Sequence, residues 1–383
     1  MLPGSSAGLM HFAFLLTGLG TEMLGPLLPL LTRQWSLRDD QSGLLLMAQF
    51  CGAFVGGVTV SSKLRRSVLI GMGAGAVGVG GFAIAPGLPA ACAALVVAGF
   101  GLGHAITGLN ILAGQRFTAN RASVLAWLNF FWSLGAMLAP LLTAWLTPRF
   151  ALRGLLGGFA MLFLMCGAGI ALETRGTAEK TGEETAATGG GGDEARGLAR
   201  RVFVIFMLML FLYGGLETCL SGWLTTYALR YGDRTLAISE YTTLLLWMSL
   251  TVGRAGASLL LLRFPERAVR GVALALTVLL TAGLALAHTA VAIAVYAVFL
   301  GLSLAPWFPV TFSLLMAERP RARQAGIVIA VSGLGAAALP WMMGVVSTRM
   351  GSLQVALAIP LVAAAGLLAI SMMRGADGRR TGV

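Results

Sequence analysis

Residues 134–140 read LGAMLAP and residues 334–340 read LGAAALP, so a Leu-Gly-Ala start and a closing Pro recur at an offset of 200 positions. Both copies lie inside long apolar runs. Gly101-Leu102 returns as Gly301-Leu302 at the same offset, and Gly20-Thr21-Glu22 has a counterpart in Gly215-Leu216-Glu217. Matches in the same order along the chain indicate two halves built on one plan.

The material of those halves is membrane material. Of 383 residues, 57% are hydrophobic and only 11% charged, with mean hydropathy +0.85, against roughly 25% charged residues in soluble domains. The apolar residues fall into a dozen runs of about 20, the length of helix that crosses ~30 Å of hydrocarbon. The runs are about 8–32, 41–61, 67–86, 89–114, 122–146, 153–172, 202–228, 239–262, 268–287, 290–316, 325–347 and 352–373. The first is too long, lacks a basic start and is acidic at its middle, so it is expected to stay as helix one rather than to be cleaved as a signal peptide.

Between runs six and seven lies ETRGTAEKTGEETAATGGGGDEARGLARR (residues 173–201), too poor in apolar residues to build a core. The expected division is a six-helix bundle over 1–172, a flexible linker over 173–200, a second bundle over 201–374 and a tail over 375–383. The net charge of +12 suggests nucleic acid only in a soluble protein. Here most basic residues cluster in loops on one side, among them Lys63, Arg65, Arg66, Arg263, Arg267, Arg319, Arg321 and Arg323. Both termini and the linker are therefore expected in the cytoplasm, with anionic lipid as the acidic partner and no nucleic acid. Cys51, Cys92, Cys166 and Cys219 sit on different runs and read as packing residues; no metal or cofactor pattern is present.

Charged side chains inside a bilayer are costly and default to functional roles. Glu22 lies at the centre of run one in LLTGLGTEMLGPLLPLL and is expected to exchange a proton, the alternative being a carboxyl satisfied by helix–helix hydrogen bonds. Glu217 lies midway along run seven, where Tyr213, Glu217 and Ser221 share a face at four-residue spacing. Trp223 and Tyr227 further along are stacking platforms for a ligand or anchors in the interface. Arg254 lies ~13 Å from the end of run eight and needs a carboxylate, Glu217 or Glu22; a structural pair and direct substrate binding both fit. Asn110, Asn129 and Trp132 fall on stripes with small residues that suit either ligand hydroxyls or helix packing. Gln49 and His104 are single polar groups, for which interhelical hydrogen bonding is the commoner use, and Gln49 is retained as a candidate ligand-binding amide. Trp307, between Pro306 and Pro309, is a candidate gating and substrate-contact residue; a static kink is the alternative.

These residues resemble the fucose permease branch of the major facilitator superfamily, sugar transporters of bacterial inner membranes. Glu22 followed by Pro26 is similar to the acid and proline of that branch's first helix. GLGHAITGLN (101–110) keeps the Gly-Leu-Gly run, Thr107 and Asn110 of its fourth helix, and FLYGGLE (211–217) is similar to the start of its seventh. The departure is Ile106, which stands where the branch carries a second acid. GGVTVSSKLRRS likewise keeps the basic residues of the superfamily's Gly-Asp-Arg loop without its acid.

The resemblance implies an all-α membrane protein with twelve transmembrane helices in two pseudo-symmetric six-helix bundles. It implies a non-enzymatic, monomeric carrier in a bacterial inner membrane, moving a small polar solute, a monosaccharide first, by alternating access. The coupling ion is H+ ahead of Na+, carried on Glu22 alone or with Glu217 substituting for the acid that Ile106 replaces, and an uncoupled carrier is the further alternative. Efflux of hydrophobic compounds by antiport is the alternative, because GAMLAP partly matches the superfamily's antiporter motif.

Overall fold

The computed structural model describes residues 5–61, 63–116, 121–178, 198–232, 237–261, 263–318 and 322–380, and contains α-helices, one short 3-10 helix and, among those residues, no strand. Span 1 is two helices, Ser5–Glu22 and Leu24–Trp35. Spans 2 to 9 are Asp39–Val58, Leu64–Ala83, Leu88–Arg116, Arg121–Leu146, Leu152–Ala178, Arg200–Tyr231, Thr242–Leu260 and Glu266–Ala285. Span 10 is Ala290–Leu304 followed by Trp307–Ala317, span 11 is Ala322–Met350, and span 12 is Leu353–Ala356 followed by Ala358–Arg380. Among the described residues, 11 helices are long and apolar enough to cross a membrane; the expected twelfth, the 19-residue helix of span 8, is not among them. The helix of span 6 continues to Ala178, into the segment expected as linker, and the rest of that segment, 179–197, lies outside the described residues.

Three spans are broken, and proline supplies the reason each time. A proline lacks the N–H that the carbonyl four residues earlier requires, and its ring crowds that carbonyl. Pro26 does this to Glu22, where the first helix of span 1 ends. Pro309 does it to Ala305, between the halves of span 10, and Pro360 to Ala356, where the short helix of span 12 ends. Pro140 and Pro340 sit within continuous helices. The break beside Trp307 falls where its flanking prolines were expected to interrupt span 10, and those after Glu22 and Ala356 were not expected from the apolar pattern.

Helix pairing displays the internal repeat. Spans 1–5, 1–6, 2–4, 3–4 and 3–6 pack together, and so do their counterparts 7–11, 7–12, 8–10, 9–10 and 9–12. The repeated LGA motif explains the first pair in each half. A Cβ on Gly135 would stand 2.0 Å from the Leu15 carbonyl oxygen of span 1, and one on Gly335 would stand 1.8 Å from the Phe211 carbonyl oxygen of span 7. Gly18 and Gly214 face them with the same closeness, 2.0 Å from Trp132 O and 2.3 Å from Ser332 O. In lipid, where apolar burial drives no helix association, such backbone contact supplies the packing.

The halves meet through spans 2 and 11, 5 and 8, and 1 and 7. At the end opposite the linker, hereafter the Asp39 end, the seam is tight. Arg230 at the end of span 7 grips Asp39 at the start of span 2 with two bonds, 2.7 and 2.8 Å. Ser347 of span 11 donates to the same carboxylate, and the Asp40 N–H donates to the Thr348 hydroxyl at 2.8 Å. Below them, a Cβ on Gly25 would lie 2.8 Å from the Ser221 carbonyl oxygen, and one on Gly43 would lie 2.9 Å from the Trp341 Cα. Both contacts join one half to the other.

Candidate functional site

The break in span 1 leaves Glu22 as the last residue of its helix, deep between the halves and 7% exposed. Its Oε2 accepts a 3.1 Å hydrogen bond from Trp247 Nε1 of span 8, and Ser221 of span 7 lies near enough to act on the carboxylate. Both residues belong to the other half. Trp247 in turn meets Trp132 of span 5 edge to face, ring centres 5.6 Å apart at 72°.

Two turns along span 8 from Trp247, and so on the same face, lies Arg254. Its Nη2 stands 3.8 Å from Glu217 Oε1, and its Nη1 donates to the Ser133 hydroxyl of span 5 at 3.0 Å. Glu217 is therefore the acid that Arg254 pairs with, and the guanidinium bridges the halves as well. Tyr213, one turn from Glu217, donates to Oε1 at 2.9 Å and stacks on Trp307, rings 4.4 Å apart and 11° from parallel. The Glu217 and Arg254 side chains keep 20% and 28% of their surface exposed. The Trp307 indole N–H and the Thr311 hydroxyl one turn on are buried and have no hydrogen-bond partner among the described residues.

The arrangement is a belt of groups across the seam, with Glu22, Trp132 and Ser133 from one half facing Glu217, Tyr213, Trp247, Arg254 and Trp307 from the other. Two acids and one cation give it a charge that a single proton can change, and four aromatic rings give it flat apolar walls. Among the described residues no three His, Cys, Asp or Glu gather as metal ligands, and the four cysteines are free thiols.

Other sequence-derived candidates stand apart from this belt. The Asn110 amide donates to the Ile106 carbonyl of its own helix, 3.0 Å. The Gln49 amide donates to the Thr21 carbonyl, 2.8 Å, tying span 2 to span 1 beside Glu22. Gly103 packs against span 2, where its Cβ would meet Ala53 O at 2.1 Å, so that stripe serves helix contact. Asn129 is exposed one turn before Ser133, on the same face by helical spacing. His104 lies against Phe100, ring centres 4.4 Å apart. Trp223 and Tyr227 are neither platforms nor interface anchors. Both are buried, with Trp223 Nε1 donating to the Pro340 carbonyl at 3.0 Å and Tyr227 OH donating to the Leu284 carbonyl at 3.0 Å; an indole or phenol inside a bundle needs such an acceptor. Trp247 was missed by sequence reasoning. Its seven-residue spacing from Arg254 was the available signal.

Residues 10–340 match the Major Facilitator Superfamily. The chain belongs to that family. A curated relative, the 4-hydroxybenzoate transporter PcaK of Acinetobacter baylyi, is 27% identical over 158 residues, 39% of this chain and 34% of that protein; the match thus spans about a third of the relative's length. Among solved structures, the xylose transporter XylE from E. coli, in a partially occluded inward open conformation, superposes with TM-score 0.73 at 14% identity, covering 94% of this chain and 95% of that one. The transporter FucP in its outward conformation gives TM-score 0.61 at 19% identity, covering 96% and 98%. At these identities the structural likeness concerns the fold, and the twelve-helix superfamily fold expected from the repeat is the one observed.

Proposed function

We propose that this superfamily member is a proton-coupled secondary transporter of a small polar solute, working by alternating access about the belt at the seam. The observation that carries the reading is Glu22, a carboxylate 7% exposed between the halves whose hydrogen bond from Trp247 crosses from one half to the other. An ionised acid there is costly without partners. Proton uptake on Glu22 neutralises the site so that the loaded carrier reorients, and release on the far side resets it. Glu217, already paired with Arg254, is the second candidate for the coupling site. With the basic loops inside, the carrier sits in a bacterial inner membrane as a monomer, the bundles bounded at about 172 and 201, and the conformation described is closed toward the outside.

For the solute, a monosaccharide is the first reading, in keeping with the FucP resemblance and with fold neighbours that include a D-xylose-proton symporter. A second reading, a ring-bearing carboxylate, is favoured by one observation. The amides of Asn110 and Gln49, suited to sugar hydroxyls, each donate to a backbone carbonyl, while Arg254 remains partly exposed beside Glu217 and Ser133. The relative's name, a 4-hydroxybenzoate transporter, agrees with it.

Proteoliposomes settle both points. Uptake of radiolabelled fucose, xylose and 4-hydroxybenzoate is measured under an imposed pH gradient, an imposed Na+ gradient and neither. The expected result is pH-driven accumulation of one class that is lost in Glu22→Gln while solute exchange without a gradient continues. Undiminished pH-driven accumulation in Glu22→Gln would remove Glu22 from the mechanism. Drug extrusion by intact cells without uptake of any of these solutes would replace import by efflux.

A further inference from the structure

The hydrogen bond on Glu22 is supplied by an indole from the other half of the carrier. Trp247 belongs to the second half, yet its indole N–H is spent on Glu22 and its ring edge on Trp132, both of the first half. It is 1% exposed, so water does not compete for that N–H. A hydrogen bond to an ionised carboxylate is roughly twice as strong as one to the neutral acid. The state of Glu22 therefore sets how firmly spans 1 and 8 are held together in the conformation closed at the Asp39 end.

We infer that Trp247 is the positioning residue that converts protonation of Glu22 into movement of the halves: ionised Glu22 holds the Asp39 end closed through the indole, and the protonated acid lets it open. The inference rests on the reading of Glu22 as the proton carrier. Other ionisable groups bear on the same acid. Glu217 of span 7 is near enough for its charge to act on it and is itself held by Tyr213 of span 7 and Arg254 of span 8. Span 7 also carries Cys219, span 6 carries Cys166, and span 4 carries His104, which lies against Phe100 and not at the belt. Trp247 bonds Glu22 from span 8 of the opposite half, and span 8 with span 5 forms a seam between the halves; Ser221, near the same acid, is on span 7. The difference between a charged and a neutral acceptor corresponds to roughly a tenfold change in the ratio of closed to open carrier.

The test needs no substrate. Spin labels at Lys63 and Arg263, exposed positions at the linker end of each half, report opening there as pulsed-EPR distances in nanodiscs, with the four native cysteines replaced. Titration from mildly acidic to mildly alkaline pH is expected to lengthen the distance in the parent protein, as the Asp39 end closes and the linker end opens. Trp247→Phe and Glu22→Gln should both lose that response and stay near the parent's acid distribution. Because Phe could disturb packing, benzothienylalanine at position 247, which keeps the indole shape and lacks the N–H, is the second variant. A role in packing alone would shift distances equally at every pH. A response lost in Glu22→Gln but kept in both position-247 variants would overturn the role of Trp247 and leave the proposed function standing. A response kept in Glu22→Gln would remove Glu22 as proton carrier and the inference with it. A parent protein without any response would overturn the inference, while the flux assay judges Glu22 separately.

Discussion

Replacing Asp39 with Asn takes from the Asp39 end the charge around which its polar contacts are organised. Asp39 accepts both guanidinium bonds of Arg230 and the hydroxyl of Ser347, all from the other half. An exposed ion pair contributes about 0–1 kcal/mol, whereas breaking a buried pair costs ~3–5 kcal/mol. Here the side chains are 11% and 35% exposed, the geometry is bidentate, and Asn keeps one acceptor, so about 2 kcal/mol is expected. That corresponds to a roughly 30-fold loss of closed carrier relative to open. Spin labels at Arg33 and Arg349, exposed positions flanking this end on opposite halves, read the ratio directly as a new long-distance population. Arg230→Gln should act alike, and the double variant should cost little more than either single one, since both remove the same contact. Strict additivity of the two, or a distance distribution in Asp39→Asn that matches the parent within twofold, would refute the reasoning, because the seal would then rest on packing alone.

Two glycines separate contacts within a half from contacts between halves. Gly25→Ala places a Cβ 2.8 Å from Ser221 O across the seam, and Gly18→Ala places one 2.0 Å from Trp132 O within the first half. The first should fold, elute as the parent does and remain open at the Asp39 end; the second should lose expression and thermal stability, since spans 1 and 5 stay in contact in every state. Arg254→Ala leaves Glu217 without its cation in a partly exposed site, a destabilisation of about 1–2 kcal/mol that should appear as a lower melting temperature. Adding Glu217→Gln should recover most of it, whereas Arg254→Lys, a point charge that cannot fork between Glu217 and Ser133, should keep stability better than transport.

Much of the candidate site was legible one residue at a time. Glu22, Glu217 and Arg254 declared themselves because charge inside a bilayer is expensive wherever it lies along the helix. Tyr213 and Ser221 followed from four-residue spacing beside Glu217. Asn110 and Gln49 each donate to a backbone carbonyl, because an amide in a span can satisfy a carbonyl as readily as a ligand, and spacing does not distinguish the two uses. Trp223 and Tyr227 looked interfacial from their position near a span end, yet span 7 is buried along that stretch. Asp39 and Arg230 carried no signal beyond marking loops, since each is an ordinary charge at a helix end.

What the chain's letters determined alone was the number of crossings, the doubled plan and which ionisable groups must be accommodated in the membrane. Those are properties of hydrophobic length, motif order and local charge, and each can be read along one dimension. Tertiary structure decided the partners: Trp247 rather than Arg254 on Glu22, Ser133 on Arg254, and Asp39 on Arg230 across 191 positions. Partnership depends on how helices rotate and slide against one another, and that is set jointly by the glycine contacts and proline breaks of both halves, which no single span contains.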